Sequence, residues 1–570
     1  MSDERLARYH EYTRRHGVNW ALYLLARIFM TPFCLVYFRY QREGKEHSRL
    51  KGGLIVASNH RSFFDPFLIG GCLPWRRPMN YVAKVELFQN PVQAWLISRL
   101  GAFPIRRGES DEESVETARQ VVERGGTVCI FPEGTRIRSG SLAEPKRGVG
   151  RLALETGAPV LPTAVFGTEH VRSGWRIRPR KVRVRLGPAI RFPRASEPSQ
   201  ALAEKVTERI WPSVLLQWEA MGGLPPMRRA AVIGAGSWGT AVAVLLARGG
   251  LEVQLGTRTA AQAEELAAER FNQRYLEDVE LPDSIDVRPA AEIELAGLDL
   301  LCLAIPSGSL PQAVGAIADR ISDRSSVLLL TKGLIAPQGT LPSRYVGERV
   351  RARARALACL GGPAHAREAV SGSAALVLGS ADADLRQQLG EVFDRAGLVC
   401  ERSGDVVGVE MAGAAKNAAV LAAAATEPYG RNAAGIAAAE IWSECIEYAA
   451  SLGAERETFT GLAGVGDLTA TLMAPAGRNR RAGELLGEGV PAEEIPELIG
   501  QASEGLDTVP LLARAVAAAG SPAEALAGLA ALIEGEIDGD EWVAGLRRVE
   551  QARRAEVETE YPKAGARLGG

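Results

Sequence analysis

The sequence has few of the residues that build metal centres or disulfide frameworks. Among 570 residues there are only 7 cysteines and 6 histidines, and no two cysteines stand in a Cys-x-x-Cys pair. Cysteines this scattered favour neither a zinc site nor disulfide bonds. We therefore expect the cysteines to be small core residues in a reducing compartment, and we expect no metal in the chemistry.

Long uninterrupted apolar runs are also missing. Residues 18–38 are the most apolar stretch, but Arg27 and Pro32 interrupt it, and a clean membrane-spanning helix needs about 20 apolar residues. The stretch is rich in aromatic residues and has arginines on both sides, which favours an interfacial hairpin on a membrane. A buried helix that covers the first domain explains it equally well. The first residues are of mixed charge and predict no secretory signal.

A strong net charge is absent only because two opposite charges cancel. The formal net charge is −1, yet residues 1–225 contain 35 lysines and arginines against 21 acidic residues, and the remainder contains 32 against 47. A basic first part suits anionic substrates or an anionic membrane surface. Nucleic acid is the rival partner for such a charge, but no recognition motif accompanies it, so we expect no nucleic acid.

The order of apolar runs divides the chain into three predicted domains. Residues 1–220 alternate short apolar strands with helical stretches, which predicts an α/β domain that ends before the Gly/Pro-rich break MGGLPP. Residues 228–404 alternate strands with Ala-rich helices, as in a doubly wound, Rossmann-type domain. Residues 405–570 lose the strand signals and predict an all-helical C-terminal domain.

A histidine and a carboxylate stand at the end of a predicted strand in the first domain. In IVASNHRSFFDP, His60 follows the apolar strand and Asp65 comes five residues later. A turn from strand into helix can bring the two side chains together. A carboxylate bound to one imidazole nitrogen fixes the tautomer, so the other nitrogen can take a proton from a hydroxyl. The pair is therefore a candidate general base, although His-x4-Asp alone is a weak motif.

Three further segments supply cations and turns near other strands. FPEGTR follows the strand TVCI, and its Gly134 permits close backbone approach while Arg136 offers a forked cation to a phosphate. GAFPIRRG contains Arg106 and Arg107, and VLPTAVFG contains Pro162. Each segment alone is compatible with a surface arginine or an ordinary turn. The four segments in this order are far more specific than any one of them.

These four segments resemble the glycerophospholipid acyltransferase family, in particular its 1-acylglycerol-3-phosphate acyltransferases, over about residues 18–215. The resemblance implies that His60 is the general base on the acceptor hydroxyl, that Asp65 orients it, and that acyl-coenzyme A or acyl carrier protein is the donor. The intact FPEGTR favours lysophosphatidate as the acceptor, with glycerol 3-phosphate as the alternative. The resemblance assigns the acceptor's phosphate to Glu133, Gly134, Arg136 and Arg106 or Arg107, and the acyl-donor side to Pro162.

The second predicted domain opens on a dinucleotide-binding fingerprint. AAVIGAGSWGTAVAVLLAR is a predicted strand, then Gly234-x-Gly236-x-x-Gly239, then a predicted helix. The first glycine makes the tight turn, the second lets the backbone approach a pyrophosphate, and the third packs the helix against the strand. The context of strand, turn and helix makes this signal much stronger than the glycines alone.

The end of the next strand bears on which nicotinamide cofactor is bound. After EVQLG the chain continues with Thr257 and Arg258, where NAD-selective sites usually carry a carboxylate for the ribose hydroxyls. Arg258 could instead pair with a 2′-phosphate. We therefore expect NADP(H) as the cofactor, with NAD(H) as the alternative. A solvent-exposed arginine without a ligand is the structural alternative.

Downstream motifs resemble bacterial glycerol-3-phosphate dehydrogenase over about residues 230–560. They are NQRYLEDVELP, IPS, TKGL, GGPAHAREA, KN, GVGDLTAT and GRNRR, in that order. The resemblance implies that Lys416 exchanges the proton as dihydroxyacetone phosphate and glycerol 3-phosphate interconvert, with Lys332 nearby and Asp467 orienting the lysine. Burial and the second ammonium would lower the pKa of Lys416. The resemblance assigns substrate contacts to Gly362, Asn417, Thr471, Gly477, Arg478 and Asn479, and cofactor contacts to Ser237, Trp238, Lys332, Ala366, Arg478 and Glu504.

The sequence also departs from this family at two places. Ala364 stands where a serine or threonine usually contacts substrate, and residues 429–444 lack an arginine often seen in the family's helix. Together the motifs predict two active enzymes of phospholipid synthesis in one chain, cytoplasmic and peripherally bound to the inner face of the cell membrane, and they admit a homodimer. The rival interpretations are a dehydrogenase that the first domain merely anchors to the membrane, and an oxidoreductase for another 2- or 3-hydroxy acid.

Overall fold

The computed structural model describes residues 3–106, 112–173, 175–350, 353–474, 477–500 and 503–548. Two compact units follow one another along the chain, Met1–Pro226 and Met227–Gly570. The boundary coincides with the Gly/Pro-rich segment MGGLPP, from which a linker was expected. The α/β character of both units and the helical C-terminal region confirm the predicted fold class. All seven cysteines are free and buried.

The strands of the first unit form one large sheet and one small ribbon. They are β1 (Gln41–Glu43), β2 (Leu54–Ser58), β3 (Met79–Lys84), β4 (Ala102–Ile105), β5 (Thr127–Ile130), β6 (Val160–Phe166), β7 (Arg172–Ser173), β8 (Arg176–Ile177) and β9 (Arg183–Leu186). Seven of them form a mostly parallel sheet in the order β1-β9-β6-β2-β5-β3-β4, while β7 pairs with β8. β2 lies inside the sheet and all five of its residues are buried, as expected for the apolar run LIVAS.

Helices cover the sheet of the first unit. They are α1 (Asp3–His16), α2 (Trp20–Tyr37), α3 (Asp65–Cys72), α4 (Pro91–Arg99), α5 (Glu112–Glu123), α6 (Gly148–Thr156) and α7 (Gln200–Ala220). Asparagine or serine side chains cap three of their N-termini: Asn19 begins α2, Asn90 begins α4 and Ser199 begins α7. These caps satisfy backbone donors that a helix cannot pair internally.

Residues 18–38 do not form the expected hairpin. Trp20–Tyr37 of this stretch form one continuous helix, α2, which runs through Pro32. Arg27 does not interrupt the helix because its guanidinium is buried and donates to the carbonyl oxygens of Gly71, Leu73 and Pro74. Only 17% of the helix is buried, and by length and composition it could cross a membrane. Its exposed apolar side chains are Trp20, Leu25, Ile28, Phe29, Phe33, Leu35 and Val36.

The second unit contains an eight-stranded sheet. Its strands, with those of a small hairpin, are β10 (Arg229–Ile233), β11 (Glu252–Thr257), β12 (Phe271–Asn272), β13 (Leu276–Glu280), β14 (Ile285–Pro289), β15 (Leu300–Leu303), β16 (Ser326–Leu329), β17 (Ala356–Gly361), β18 (Ala375–Gly379) and β19 (Val399–Ser403). The order is β14-β11-β10-β15-β16-β17-β18-β19, so the direction of winding reverses at β10. In open α/β sheets, ligands bind at such a switch point.

Helices complete the second unit and make up nearly all of its C-terminal part. They are α8 (Ser237–Arg248), α9 (Ala260–Glu269), α10 (Leu310–Ile317), α11 (Pro342–Val350), α12 (Ala366–Ser371), α13 (Ala383–Arg395), α14 (Val406–Thr426), α15 (Arg431–Ser451), α16 (Arg456–Thr460), α17 (Asp467–Met473), α18 (Arg478–Gly487), α19 (Ile495–Ile499), α20 (Glu504–Ala518) and α21 (Glu524–Ile533). A further helix begins at residue 539. The apolar helix α14 is almost wholly buried, and one core joins it to the sheet. The predicted second and third domains therefore lie in one compact unit.

Candidate active sites

The sheet of the first unit gathers the motifs of its sequence. β2 lies between β5 and β6 and runs parallel to both. His60 follows β2, and the FPEGTR segment follows β5. Because the carboxyl ends of parallel neighbours meet at one edge of a sheet, these two segments face one another. Pro162 lies inside β6, buried and in register with Ala57 of β2.

His60 and Asp65 form the pair that the sequence predicted. The Nδ1 atom of His60 lies 2.8 Å from Oδ2 of Asp65, and Asp65 is fully buried. The same carboxylate oxygen accepts the backbone N–H groups of Arg61 and Ser62, at 2.6 and 2.7 Å. The imidazole also stacks on Phe131 with ring centroids 4.1 Å apart. These contacts fix the ring, so Nε2 is the nitrogen that remains to take a proton from a hydroxyl.

Glu133 differs from the expectation that it holds the acceptor's phosphate. Its side chain is buried, and its two carboxylate oxygens accept the backbone N–H groups of His60, at 2.6 Å, and Ala143, at 3.1 Å. Burial raises the pKa of Glu133 to about 7, although the two N–H groups oppose the rise. A carboxylate bound in this way would repel a phosphate. The geometry instead makes Glu133 an anchor for the backbone of His60.

The other residues of the predicted phosphate site are placed less uniformly. Gly134 has φ +70°, in the left-handed region that favours glycine. Arg136 is half-buried and makes no hydrogen bond or ion pair with the rest of the described chain, which leaves its guanidinium available to an anion. Arg106 follows β4 at the edge of the sheet, three strand spacings or about 14 Å from β2. Arg107 lies outside the described residues.

Arg61, to which the sequence motifs assign no role, also contacts the segment that follows FPEGTR. Arg61, directly after the histidine, is only 2% exposed, although arginine is seldom buried. Its guanidinium donates to the carbonyl oxygens of Ile137, at 2.9 Å, and Gly140, at 2.6 Å, and lies 4.4 Å from the ring of Trp218.

A mostly apolar pocket, partly open to solvent, lies between α2 and α3. Side chains such as Met30, Phe67 and Met79 line it, and Gly70 and Gly71 of α3 leave it open. Because α3 begins at Asp65, the pocket lies along the helix whose first residue contacts His60. Its lining suits a hydrocarbon chain better than a polar ligand.

The glycine-rich loop of the second unit has the geometry that a dinucleotide needs. Gly234 has φ +111°, and a Cβ there would lie 2.2 Å from the carbonyl oxygen of Ala304. A Cβ on Gly239 would lie 1.9 Å from the carbonyl oxygen of Gly234, so helix and strand pack too closely for a side chain. A Cβ on Gly236 would meet nothing within 4 Å, so this glycine faces open space at the N-terminus of α8. A pyrophosphate fits there.

Two residues that the family resemblance assigns to the cofactor, Ser237 and Trp238, lie in the first turn of α8, directly after the loop. Ser237 donates its hydroxyl to the carbonyl oxygen of Tyr275, at 2.9 Å. The indole N–H of Trp238 is buried and has no partner in the part of the chain that the structure describes. Asn272, which the motif analysis did not single out, donates to the carbonyl oxygen of Ala235 within the loop. It therefore holds the loop in shape.

Three further predicted contacts lie at the edges of this cleft. Arg258 is exposed and directly follows β11, where the second ribose of a dinucleotide would lie. Gly362 has φ +97°, and a Cβ there would lie 2.8 Å from the carbonyl oxygen of Ala375. Ala366 is the first residue of α12.

Two lysines and one aspartate form the centre of the second site. Lys416 donates through Nζ to Oδ1 of Asp467, at 2.9 Å, and to the hydroxyl of Thr471, at 3.1 Å. Lys332 donates to the other oxygen of Asp467, at 3.2 Å. The side-chain amide of Asn417 donates to the carbonyl oxygen of Lys332. The two ammonium groups are thus held on opposite oxygens of one carboxylate, as the sequence interpretation required.

The electrostatics of this centre suit proton exchange near neutral pH. Burial, reinforced by the charge of Lys332, lowers the pKa of Lys416 from 10.5 to about 8, although Asp467 acts in the opposite direction. Burial alone would raise the pKa of Asp467, but the two ammonium groups outweigh it and lower this pKa. Lys416 can therefore exist in both protonation states in the physiological range.

The GRNRR segment begins a helix beside this centre. Gly477 precedes α18, and Arg478 and Asn479 form its first turn. The Oδ1 atom of Asn479 accepts the hydroxyl of Ser503, at 2.8 Å, and the backbone N–H of Gly505, at 3.0 Å. Between these, Glu504 begins α20; burial raises its pKa, while the charges of Arg478 and both lysines oppose the rise. Arg478 and Glu504 therefore lie within electrostatic reach of the lysine centre.

Comparisons with known proteins cover both units. A family model described as acyltransferase matches residues 39–166. Models described as the N-terminus and the C-terminus of NAD-dependent glycerol-3-phosphate dehydrogenase match residues 229–385 and 405–544. A glycerol-3-phosphate dehydrogenase [NAD(P)+] of Nocardia farcinica is 39% identical over 304 residues, which is 51% of this chain and 89% of that protein.

Solved structures are similar to each unit separately. A crystal structure of glycerol-3-phosphate dehydrogenase from Coxiella burnetii has 28% identity and a TM-score of 0.52, and the match covers 56% of this chain and 99% of that one. The 1-acyl-sn-glycerophosphate (LPA) acyltransferase PlsC from Thermotoga maritima has 26% identity and a TM-score of 0.28, over 39% of this chain and 84% of that one.

Proposed function

Because the chain belongs to the NAD-dependent glycerol-3-phosphate dehydrogenase family and also carries an acyltransferase domain, we propose that it is a bifunctional enzyme of glycerophospholipid synthesis. Its second unit reduces dihydroxyacetone phosphate to sn-glycerol 3-phosphate with NADPH. Its first unit transfers an acyl group from an acyl thioester to 1-acylglycerol 3-phosphate, giving phosphatidate. The observation that carries the proposal is that each unit contains its own proton-transfer centre, His60–Asp65 in one and Lys416–Asp467 in the other.

In the dehydrogenase, Lys416 is the acid and base. A reduced nicotinamide cofactor, held at the glycine-rich loop of Gly234, Gly236 and Gly239, would supply the hydride for C2 of dihydroxyacetone phosphate. The ammonium group of Lys416 gives a proton to the carbonyl oxygen as that oxygen becomes a hydroxyl, and in the reverse direction the free amine removes it. Asp467 holds the ammonium at 2.9 Å and keeps its direction constant. Burial and the charge of Lys332 together hold the pKa of Lys416 low, and Lys332 also balances the negative charge of Asp467.

The substrate's phosphate is assigned to the N-terminus of α18. Arg478 and Asn479 stand in its first turn, where backbone N–H groups and the helix dipole favour an anion. The arginine adds a forked donor that matches phosphate oxygens. A phosphorylated three-carbon substrate explains this arrangement better than a simple hydroxy acid, whose only anion is the carboxylate next to the reacting carbon.

In the acyltransferase, Nε2 of His60 takes the proton from the acceptor hydroxyl. The oxygen then attacks the thioester carbonyl, the C–S bond breaks, and the leaving thiolate receives the proton from the imidazolium. Arg136 holds the acceptor's phosphate. Coenzyme A and acyl carrier protein are both suitable carriers of the thioester. Lysophosphatidate is the proposed acceptor, with glycerol 3-phosphate as the second candidate because the other unit produces it.

We propose further that the first unit lies on the inner surface of the cell membrane. Helix α2 exposes apolar side chains, among them Phe29 at 68% and Val36 at 81%, and the unit is basic overall. Apolar side chains and positive charge together favour an anionic lipid surface. A lipid acceptor such as lysophosphatidate would be reached from that surface.

Product analysis by mass spectrometry tests the two activities and the acceptor together. The purified full chain receives dihydroxyacetone phosphate with NADPH in one reaction, and acyl-coenzyme A with either lysophosphatidate or glycerol 3-phosphate in others. We expect glycerol 3-phosphate from the first reaction and phosphatidate from lysophosphatidate. Lysophosphatidate formed from glycerol 3-phosphate would assign the second acceptor instead. Membrane binding without acyl transfer from either carrier would reduce the first unit to an anchor.

A further inference from the structure

The backbone of His60 is held from both sides by the segment that carries the proposed phosphate arginine. The N–H of His60 donates to Oε2 of Glu133, at 2.6 Å. The carbonyl oxygen of His60 accepts the backbone N–H of Ile137, at 2.9 Å. Arg136 lies next to Ile137 in the chain. The position of Arg136 is therefore set relative to the catalytic histidine by backbone contacts on both sides of that histidine.

Arg61 extends this connection to the next turn of the segment. Its two Nη atoms donate to the carbonyl oxygens of Ile137 and Gly140, at 2.9 and 2.6 Å. One guanidinium thus fixes two points of the chain directly after Arg136. Because the segment is held at two carbonyl oxygens three residues apart, the backbone of the preceding residue, Arg136, has little freedom to move.

The guanidinium of Arg61 is itself fixed from the other side. It lies 4.4 Å from the ring of Trp218, near the end of α7, and Trp218 donates its indole N–H to the carbonyl oxygen of Leu224. Burial raises the pKa of Glu133 and of Glu169, and the Arg61 charge opposes both rises. Burying an arginine is costly unless its guanidinium is bound by several partners, so these contacts indicate a defined structural role for Arg61.

We propose that Arg61 is a positioning residue for acceptor recognition: it holds the 137–140 segment so that Arg136 presents its guanidinium to the acceptor's phosphate at a set distance from His60. The inference rests on the proposed acyl transfer to a phosphorylated acceptor. It adds a specificity device to that reaction. Arg61 reads no part of the substrate itself, and its influence passes through the backbone of Ile137 to Arg136.

Lysine cannot replace arginine in this role. An ammonium group is a single point of attachment, whereas the planar guanidinium of Arg61 donates to two carbonyl oxygens and also lies 4.4 Å from the ring of Trp218. The Arg61→Lys substitution therefore keeps the buried charge but loses one of the two carbonyl contacts and the guanidinium contact with the Trp218 ring. Arg61→Lys therefore tests the loss of the contacts while the positive charge is kept, whereas Arg61→Ala would remove both the contacts and the charge.

The test compares a phosphorylated and an unphosphorylated acceptor. Wild type, Arg61→Lys, Arg136→Ala and the double variant are assayed as full chains with acyl-coenzyme A and either lysophosphatidate or monoacylglycerol. We expect Arg61→Lys to raise KM for lysophosphatidate and to lower the preference for it, measured as the ratio of the two kcat/KM values, by about 10- to 100-fold. KM for acyl-coenzyme A should not change. Because both substitutions act on one contact, the double variant should lose little more than Arg136→Ala alone.

Arg77→Lys is the matched control. Arg77 also fastens two carbonyl oxygens, those of Leu50 and Gly52, and the hydroxyl of Thr127, at the opposite end of β2 and β5 from His60. Arg77→Lys should lower the thermal stability about as much as Arg61→Lys does, but it should leave the acceptor preference unchanged. Trp218→Phe gives a second approach to the same contact if Arg61→Lys does not fold, with a smaller loss of preference in the same direction.

The outcomes separate this inference from the proposed function. A wild-type chain that transfers no acyl group overturns both. A wild type that prefers lysophosphatidate, with Arg61→Lys and Trp218→Phe showing the same preference, overturns the positioning role alone. Additive losses in the double variant would also overturn it, because independent effects mean that Arg61 does not act through Arg136. An equal loss in Arg77→Lys would assign the effect to general destabilisation.

Discussion

In the first unit a single imidazole is oriented by one buried carboxylate, whereas in the second unit an ammonium group shares its carboxylate with another ammonium. Within the described residues, the ring of His60 forms its one hydrogen bond with Asp65, and 13% of its side chain is exposed. Lys416 is 9% exposed, bonds to Asp467 and Thr471, and stands near the charge of Lys332. The two centres therefore use the same chemical partner, an aspartate, for different purposes.

The difference follows from the groups that exchange the proton. Imidazole as a class titrates near neutral pH, so an enzyme need only orient it. A lysine amine ordinarily holds its proton until well above neutral pH, so it must be buried and placed beside another cation before it can act as a base. The second centre consequently lies on α14, a helix buried in the largest core of its unit. The first lies just beyond the carboxyl end of β2, the central strand of its sheet.

The largest effects are expected from substitutions that remove the proposed acid or base of one unit at a time. We predict that His60→Ala lowers kcat for acyl transfer by about 10²- to 10⁴-fold and leaves dihydroxyacetone phosphate reduction unchanged. Lys416→Met should do the reverse, because it removes the acid of the reduction. Each variant is the folding control for the other. The measurement is kcat for both reactions on the same preparation, and a variant that lost both activities would contradict two separate centres.

The lysine mechanism has a pH dependence of known sign. Reduction needs the ammonium form, so its rate should fall as pH rises through about 8, the pKa of Lys416. Oxidation of glycerol 3-phosphate needs the free amine, so its rate should rise through the same pH. Lys332→Gln removes the neighbouring cation and should move both inflections to higher pH. Burial, the larger cause, remains in that variant, so the pKa should stay below 10.5.

Initial rates from pH 6 to 10, in both directions, check this prediction. Acyl transfer by the same samples is the control, because Lys332 plays no part in it. An inflection that Lys332→Gln does not move would mean that burial alone lowers the lysine pKa. An inflection in reduction that rises with pH would show that Lys416 is not the acid.

The two sites also differ in how far the sequence predicts them. In the first unit, His60 and FPEGTR end neighbouring parallel strands, and the carboxyl ends of such strands meet, so strand patterns alone bring these motifs together. In the second unit, Lys416 and Asp467 lie on different helices, α14 and α17. No periodicity predicts that two helices cross there, so that pair came only from the family resemblance.

What the sequence missed consists of contacts between backbone and distant side chains. Glu133 stands in a motif that suggests phosphate, yet its oxygens accept backbone N–H groups of residues 73 and 10 positions away. Arg27 appeared to interrupt an apolar helix, but carbonyl oxygens near the end of α3 accept hydrogen bonds from its guanidinium. Composition records a charge, while its partner depends on where another segment of chain comes to lie.

A smaller effect concerns the cofactor of the second unit. That unit is acidic overall, yet Arg258 directly follows β11 where a 2′-phosphate would lie. We predict that Arg258→Ala lowers the ratio of kcat/KM for NADPH over NADH by about 10-fold, because one charge-assisted contact is lost. Arg288→Ala is the matched control, since Arg288 is an exposed arginine on the neighbouring strand and already pairs with Asp286. An unchanged ratio would remove Arg258 from the cofactor site.

The smallest expected effect concerns membrane binding, which we propose for the basic first unit and not for the acidic second unit. Phe29 on α2 is 68% exposed, and burying such a side chain in a bilayer contributes on the order of 1–2 kcal/mol. Phe29→Ser should therefore weaken binding of the full chain to vesicles of anionic phospholipid by about 5- to 10-fold, measured by co-sedimentation. Leu216→Ser, on the exposed face of α7, is the control. Equal binding by wild type and Phe29→Ser would separate α2 from the membrane, and stronger binding to neutral than to anionic vesicles would contradict a role for the positive charge.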